Sequence, residues 1–301
     1  MSLSESPRVW LITGSNSGLG LTLAESALAH GDKVIATARD LKKIPESLAA
    51  AKPIRLDLDA SDEEIAKVAQ EALKIYGRID ILVNNAGTGL PGTVEHMTDA
   101  QLKQTYQTNV FGPLSLTRAL IPSFRAQKSG AIVSISSQGA ITSWPGFSAY
   151  CSSKVALDYF MEGLGHEMSP FGVSVLIIQP GFIITDWWAK AAAVQNSAVS
   201  EVYPHIGGLE STMEWAVGTG CVSDARKTIE RIYEFVTETG EAGKLRAEGA
   251  SKLPLGNDCS GIYKNRIEQM QKTVDVCAPI TGSVNLTDEQ LAEVRKSRGA
   301  A

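Results

Sequence analysis

The fold of this chain is decided near its start, by residues 9–20, which read VWLITGSNSGLG. Val9 to Thr13 form a short apolar run with β-branched residues, and the run stops at Gly14. From Leu19 to Ala29 apolar residues recur at helical spacing, and the pattern ends at Gly31. A strand, a glycine-rich turn and a helix in this order predict the opening of a parallel βαβ unit.

Further short apolar runs follow, separated by helical patterns such as Ser61 to Tyr76. The predicted strands are Val9–Thr13, Val34–Thr37, Ile54–Leu58, Ile79–Val83, Ala131–Ile135 and Val173–Ile178, with Lys252–Gly256 as a candidate last strand. Near-continuous apolar runs are typical of strands buried on both faces. The alternation predicts an α/β fold, a doubly wound parallel sheet (Rossmann fold) of about seven strands with helices on both faces.

Composition and charge exclude several classes of protein. With 44% hydrophobic residues among 301, the chain is not intrinsically disordered, and its four cysteines without paired spacing exclude a disulfide scaffold. A net charge of −5 gives no attraction to nucleic acid or anionic lipid. The longest near-apolar stretch, Val173 to Ile184, is shorter than the ~20 residues of a membrane helix. We expect a soluble, cytoplasmic protein without nucleic-acid or membrane partners.

The glycine turn has the features of a phosphate-binding loop. Backbone N–H groups and the positive end of a helix both point to ligands at such a turn, and glycines allow the close approach. The candidate cofactor-binding residues here are Gly14, Ser15, Asn16, Ser17, Gly18, Leu19 and Gly20. A glycine loop alone can be only a turn, and the strand–turn–helix context favours a nucleotide site.

The end of the second strand indicates which dinucleotide binds. An NAD site places an acidic residue there, but this chain has Ala38 followed by Arg39. A guanidinium suits the 2′-phosphate of NADP because its donors form a fixed pair. The alternatives are a surface arginine at a helix start and an NAD-type role for Asp40. We therefore predict NADP(H), with NAD(H) as the alternative.

A tyrosine and a lysine share one helix face, at Tyr150 and Lys154. A phenol with a pKa near ~10 is a poor acid–base at neutral pH, and a nearby cation is expected to lower that pKa. Ser137 follows the fifth strand, in the crevice where the carboxyl ends of parallel strands meet. Alone, the tyrosine and lysine could be a helix surface pair, and the serine could begin a turn.

Taken together, these residues resemble the short-chain dehydrogenases/reductases, closely over about residues 8–185 and loosely to about 272. The matching motifs are the loop at Thr13–Gly20, Asp57, Asn84–Gly87, Asn109, Ser137, Tyr150, Lys154, Pro180-Gly181 and Thr185. Histidines are dispersed without metal-ligand spacing, so no metal site is predicted.

The resemblance implies hydride transfer between a nicotinamide and a carbonyl/alcohol pair. Tyr150 would be the general acid or base, Ser137 would polarise the reacting oxygen, and Lys154 would lower the Tyr150 pKa. Asn109 would support a water that leads protons away from Lys154.

The same resemblance extends the cofactor site beyond the loop. The residues it adds are Asp57, Leu58, Asn85, Ala86, Gly87, Tyr150, Lys154, Pro180, Gly181, Ile183 and Thr185, alongside Arg39. Asp57 would contact adenine, and Asn85 would lie beside the adenosine ribose. Ile183 and Thr185 would hold the nicotinamide carboxamide. Ser17 departs from the family pattern, since a basic residue sometimes stands there in NADP-dependent members.

The resemblance also implies the organisation of the chain. We expect a single NAD(P)-binding Rossmann-fold domain at 1–301, a substrate lid at 185–255 and a C-terminal extension at 272–301. Aromatic residues could clamp a bulky apolar ketone or alcohol, or could only pack the lid itself. These candidates are Trp144, Phe147, Trp187 and Trp188.

Two further expectations concern assembly and activity. By analogy with the family, we expect a homodimer or homotetramer formed through the long helices at about 99–127 and 148–169. The alternatives to a carbonyl reductase are a non-catalytic NADP(H)-sensing module and a lyase or isomerase that uses the same tyrosine and lysine.

Overall fold

Seven parallel strands form one sheet, in the order β3-β2-β1-β4-β5-β6-β7. The strands are β1 (Val9–Ile12), β2 (Lys33–Ala38), β3 (Lys52–Arg55), β4 (Ile81–Asn84), β5 (Ala131–Ile135), β6 (Ser174–Pro180) and β7 (Lys252–Leu255). The computed structural model describes residues 6–185, 202–203, 206 and 209–298. The predicted doubly wound parallel sheet is confirmed.

Helices connect the strands as in βαβ units. They are α1 (Gly18–Ala29), α2 (Asp62–Tyr76), α3 (Asp99–Tyr106), α4 (Gly112–Gln127), α5 (Ser148–Met168), α6 (Leu209–Gly218), α7 (Ala225–Thr237), α8 (Gly240–Ala247), α9 (Asn257–Thr281) and α10 (Asp288–Ser297). Ser61 begins α2 with a capping box to Glu64, because its hydroxyl and the glutamate satisfy each other's backbone N–H groups.

Both faces of the sheet are buried, and alternate residues of β1 show it. Trp10 and Ile12 belong to one hydrophobic core, whereas Val9 and Leu11 belong to the other. Successive strand side chains point to opposite faces, so two apolar layers require a continuous apolar strand. This is the physical reason that the strand runs could be found in the sequence.

Two elements differ from the sequence prediction. The third strand was predicted at Ile54–Leu58 but lies at Lys52–Arg55, at the edge of the sheet. The helix predicted from Asp99 to Gln127 is interrupted by a π-helical turn at Gln107–Phe111. Single π turns are often found at functional sites.

Contacts within the chain define two compact units, Met1–Ser260 and Gly261–Ala301. The first unit contains the sheet. The second contains α10, which begins with a capping box between Thr287 and Gln290 and has no buried residue. Among the described helices, none is both long and apolar enough to cross a membrane.

Candidate active site

The site residues follow the carboxyl ends of neighbouring parallel strands. The order β1, β4, β5, β6 places the segments after these strands at one edge of the sheet, as expected for the ligand crevice of a doubly wound fold. Gly14, Asn85, Ser137 and Gly181 come just after these four strands.

The glycine turn requires its glycines for two different reasons. Gly14 and Gly18 have φ angles of +68° and +57°, which L-residues with a side chain adopt at a cost. At Gly20, an added Cβ would lie well inside 3.0 Å of Asn85 Nδ2 and Gly14 O. Helix α1 begins at Gly18, so its unpaired N–H groups face this turn. The turn therefore has the shape and the donors for a pyrophosphate.

A network that we did not predict braces this turn against β4. The Thr13 hydroxyl donates to Val83 O and accepts from the backbone N–H groups of Asn85 and Ala86, each at 2.9 Å. The Asn85 amide donates to Thr13 O at 2.8 Å. Asn85, which we expect beside a ribose, also holds the turn with its side chain. Thr13 stands in the quoted motif, but only the fold brings residues 72 positions apart together.

Ser15 also forms its hydrogen bonds inside the protein. Its hydroxyl donates to Ile12 O at 2.8 Å, its N–H donates to Thr37 O at 2.8 Å, and the residue is fully buried. Ser15 therefore shapes the turn and does not present its hydroxyl to the crevice.

Arginines lie at the ends of β2 and β3. The Arg39 side chain is 74% exposed, with Nη1 3.7 Å from Asp59 Oδ2. Arg55, which the sequence analysis did not single out, donates from Nε to Arg39 O at 3.1 Å. Asp40, the NAD-type alternative, instead caps a short 3₁₀ turn by accepting from Lys42 N at 3.0 Å.

Asp57 and Leu58 follow β3. Asp57 Oδ1 accepts from Asp59 N at 3.2 Å, and its other carboxylate oxygen lies 4.0 Å from Arg55. Leu58 is buried, and its carbonyl oxygen accepts from Gln107 Nε2 at 3.0 Å. This contact ties the end of β3 to the π-helical turn.

Ser137, Tyr150 and Lys154 come together at the end of β5 and the start of α5. The Ser137 and Tyr150 hydroxyls are hydrogen-bonded to each other, and Ser137 Oγ also accepts from Gly139 N at 3.0 Å. Lys154 Nζ lies 5.9 Å from the centroid of the Tyr150 ring and donates to Ile135 O at 2.9 Å.

Burial acts against the lowering of the Tyr150 pKa that we expect from Lys154. Burial raises the pKa of Tyr150 to about 12, and the hydrogen bond from Ser137 offsets only part of that increase. Burial also lowers the pKa of Lys154 to about 8. Both changes have one cause, because an enclosed site disfavours the phenolate and the ammonium alike.

Asn109 lies in the π-helical turn, and its side chain makes three hydrogen bonds. Its amide donates to Thr88 O and Ser153 Oγ, both at 2.9 Å, while its Oδ1 accepts from Thr88 N at 2.8 Å. Gly87 lies beside it: an added Cβ there would lie 3.2 Å from Asn109 Oδ1 and 3.4 Å from Lys154 Nζ. Asn109 and Lys154 therefore flank one glycine.

A buried acid near this group was missed. Asp158 lies one turn beyond Lys154 on α5 and accepts from Gln179 Nε2 at 2.8 Å. Burial raises the pKa of Asp158, whereas the Ser136 hydroxyl, the Gln179 amide and the Lys154 charge lower it. Its own charge raises the pKa values of both Tyr150 and Lys154.

The segment after β6 completes the crevice edge. Pro180 ends the strand, Gly181 N donates to Leu255 O at 2.7 Å, and Ile183 forms an isolated parallel bridge with Ser223. Thr185 lies two residues after Ile183 and also interacts with other residues of the protein.

The predicted substrate aromatics are only partly described. Trp144 and Phe147 are partly buried just before α5, and Phe147 N donates to Trp144 O at 3.1 Å. Trp187 and Trp188 lie outside the described residues. Phe182 packs edge-on against Trp215, with ring centroids 6.2 Å apart. Within the described ranges, no cluster of three or more histidine, cysteine or acidic residues could hold a metal ion.

Comparison with known proteins places this geometry in a family. Residues 8–196 match the family model described as short chain dehydrogenase. The chain belongs to the short-chain dehydrogenase family. It is an oxidoreductase of this family, whose solved members include complexes with NAD and with NADP.

Three similar proteins illustrate the relationship. A short-chain dehydrogenase from Streptomyces avermitilis has a TM-score of 0.78 and 33% identity, covering 94% of this chain and 100% of that one. A metagenomic short-chain oxidoreductase in complex with NADP has a TM-score of 0.55 and 32% identity, over 57% and 81%. Human (Homo sapiens) retinol dehydrogenase 8 is 37% identical over 211 residues, 65% of each chain.

Proposed function

We propose that this protein is an NADP(H)-dependent oxidoreductase that interconverts a ketone and a secondary alcohol. The observation that carries the proposal is the hydrogen bond between Ser137 and Tyr150, with Lys154 Nζ 5.9 Å from the Tyr150 ring. These groups lie at the carboxyl ends of the strands, next to a glycine turn fit for a dinucleotide.

The reduction divides into a hydride and a proton. NADPH, when bound, would supply the hydride, and residues of the protein transfer the proton. Tyr150 donates its proton to the carbonyl oxygen, which the Ser137 hydroxyl holds by a hydrogen bond. A phenol pKa of about 12 keeps Tyr150 protonated at neutral pH, as a general acid requires. The Lys154 charge stabilises the phenolate that forms.

The cofactor residues fit a dinucleotide. Gly20 leaves room where a Cβ would collide with the turn, and the N-terminus of α1 offers backbone donors. The exposed guanidinium of Arg39 supports the preference for NADP(H), since it can exchange its 3.7 Å contact with Asp59 for a 2′-phosphate. The capping role of Asp40 argues against NAD(H), because its carboxylate is held by Lys42 N.

A bulky apolar substrate is the favoured class. Trp144 and Phe147 precede the helix that carries Tyr150, and Phe182 lies in the turn after β6 with Trp215 against it. Human retinol dehydrogenase 8 is named for a large apolar alcohol, which supports the same class. If the aromatics only pack against one another, this preference disappears while the reaction stays the same.

We also propose a homodimer or homotetramer formed through α4 and α5. Large apolar side chains are exposed next to and on these helices, with Phe111 at 51%, Tyr159 at 70% and Phe160 at 53% exposure. Sedimentation of the purified chain would test this state.

The decisive assay measures the loss of NADPH with a panel of carbonyl compounds. We expect turnover of bulky apolar ketones and little or none of small polar sugars. Binding of NADPH without consumption by any substrate would favour a sensing module. Conversion of a substrate without net NADPH consumption would favour a lyase or isomerase.

A further inference from the structure

A buried carboxylate holds the turn that follows β6. Asp258, in the first turn of α9, accepts a hydrogen bond from Phe182 N at 2.6 Å. The residue is 8% exposed, and the two partners lie 76 positions apart. A backbone donor of the turn is thus fixed by a side chain from a distant helix.

Two glycines make room for this carboxylate. A Cβ added at Gly181 would lie well inside 3.0 Å of both carboxylate oxygens of Asp258. At Gly256, where φ is +106°, an added Cβ would lie inside 3.0 Å of Oδ1. The carboxylate therefore occupies the space that side chains at both positions would need.

The second oxygen of this carboxylate lowers the free energy gained on folding. Asp258 Oδ1 is buried and has no hydrogen-bond partner. Leaving a polar oxygen buried and without a hydrogen-bond partner opposes folding. A buried group of this kind needs an explanation other than stability.

The turn is fixed on both sides of the bond to Asp258. Gly181 N donates to Leu255 O at 2.7 Å, and Ser223 N donates to Phe182 O at 2.8 Å. The bond to Phe182 N lies between these contacts, so Asp258 fixes the Gly181–Phe182 peptide, one residue before Ile183.

We propose that Asp258 is a positioning residue that holds turn 181–183 in the conformation that binds the nicotinamide end of the cofactor. This inference rests on the proposed function and concerns the same site. Asp258 acts through the turn backbone and does not touch the cofactor.

The test compares a whole dinucleotide with its adenosine half. Binding of NADPH and of adenosine 2′,5′-diphosphate is measured calorimetrically for the full chain and for Asp258→Ala. We expect the variant to bind NADPH about tenfold more weakly, in keeping with one lost buried hydrogen bond. Adenosine 2′,5′-diphosphate should bind as before, because it does not reach the turn.

Conservative variants separate positioning from folding. Asp258→Asn keeps an oxygen for Phe182 N–H, and we expect it to retain NADPH affinity. Gly181→Ala should reproduce the selective loss, because its methyl group displaces the carboxylate. Gly163→Ala is the matched control on α5, where an added Cβ meets nothing within 4 Å, and it should bind like the full chain.

The outcomes are distinct. Unchanged NADPH binding by Asp258→Ala, or an equal loss for NADPH and its adenosine half, overturns the inference. If Asp258→Ala does not fold, Gly256→Ala decides in the same way against Gly163→Ala, because its methyl group meets Asp258 Oδ1 and the residue lies outside turn 181–183. An unmodified chain that binds no dinucleotide contradicts the proposed function itself, and the inference with it.

Discussion

Enclosure acts in opposite senses on the two titratable residues of the candidate site. Tyr150 is kept protonated far above neutral pH, whereas Lys154 releases its proton more readily than a free lysine does. The pair therefore suits reduction, in which a neutral phenol gives a proton and a cation stabilises the remaining charge. A neutral Tyr150 and a charged Lys154 are present together only below the pKa of Lys154.

The pH dependence of reduction follows from Lys154. Because its pKa is lowered to about 8, its charge is present below that pH and lost as pH rises through it. We expect kcat/KM for the ketone to fall above about pH 8. A pH–rate profile measures this fall, which is the alkaline limb of the profile. Constant kcat/KM well beyond pH 8 would contradict the proposed role of the Lys154 charge.

The substitution Asp158→Asn should move the alkaline limb of the pH–rate profile to lower pH. The Asp158 carboxylate raises the pKa values of both Lys154 and Tyr150, so its removal lowers both. The alkaline limb should therefore appear at lower pH than in the unmodified chain. Glu167→Gln, an exposed change on the same helix, is the control and should leave the profile in place.

We expect cofactor preference to depend on Arg39. Its removal takes away the cation proposed to bind the 2′-phosphate, so Arg39→Ala should lower kcat/KM for NADPH by roughly 10- to 100-fold, in keeping with charge-assisted hydrogen bonds. The value for NADH should hardly change. Arg118→Ala, another exposed arginine, serves as the control. Equal losses for the two cofactors would rule out the proposed contact.

Among the elements, the turn after β1 depends most on contacts far away in the sequence. The Thr13 hydroxyl accepts hydrogen bonds from the backbone N–H groups of Asn85 and Ala86, which follow β4. Thr13→Val keeps the shape but leaves these donors unpaired, which should cost about 1–3 kcal/mol for each donor that stays buried.

Thermal unfolding and NADPH binding both measure this change. We expect a lower melting temperature and weaker NADPH binding for Thr13→Val. Thr22→Val is the matched control, since its hydroxyl only donates to Gly18 O one helical turn back. A Thr13→Val protein as stable as the control would show that the network contributes nothing.

The elements also show what a sequence can predict. Ala131–Ile135 was predicted with its correct bounds, because a central strand buried on both faces must be apolar throughout. The edge strand Lys52–Arg55 is largely exposed, so the apolar pattern shifts the predicted strand to Ile54–Leu58, which overlaps the observed strand only at its last two residues. The π-helical turn at Gln107–Phe111 leaves no mark in helical periodicity.

The same division applies to the candidate site. Ser137, Tyr150 and Lys154 could be proposed because their spacing and position after a strand, together with the other motifs, resemble those of a known family. Asp158 and Asp258 could not, since an acid on a helix gives no sign of burial. Their roles depend on Gln179 and Phe182, which only the folded sheet brings near.

At the scale of the molecule, the chemistry lies in the first compact unit. All described residues of the candidate site fall within Met1–Ser260. The helix α10 has no buried residue, so its contribution to stability is expected to be small.

Removal of residues 282–301, which include α10, tests whether the candidate site and the stability of the fold depend on the C-terminal residues. The shortened chain should melt within about 2 °C of the full chain, because little buried surface is lost. NADPH should raise both melting temperatures equally, since a ligand stabilises the state that binds it. A large drop, or loss of the NADPH effect, would show that the C-terminal residues support the site.

The most direct test of the whole account is the turnover of Tyr150→Phe. The substitution removes only the hydroxyl that donates the proton, so the variant should fold and bind NADPH like the unmodified chain. With a ketone that the unmodified chain reduces, we predict that NADPH consumption falls by roughly three orders of magnitude or more, as for loss of a general acid. Near-normal consumption by Tyr150→Phe would contradict the mechanism.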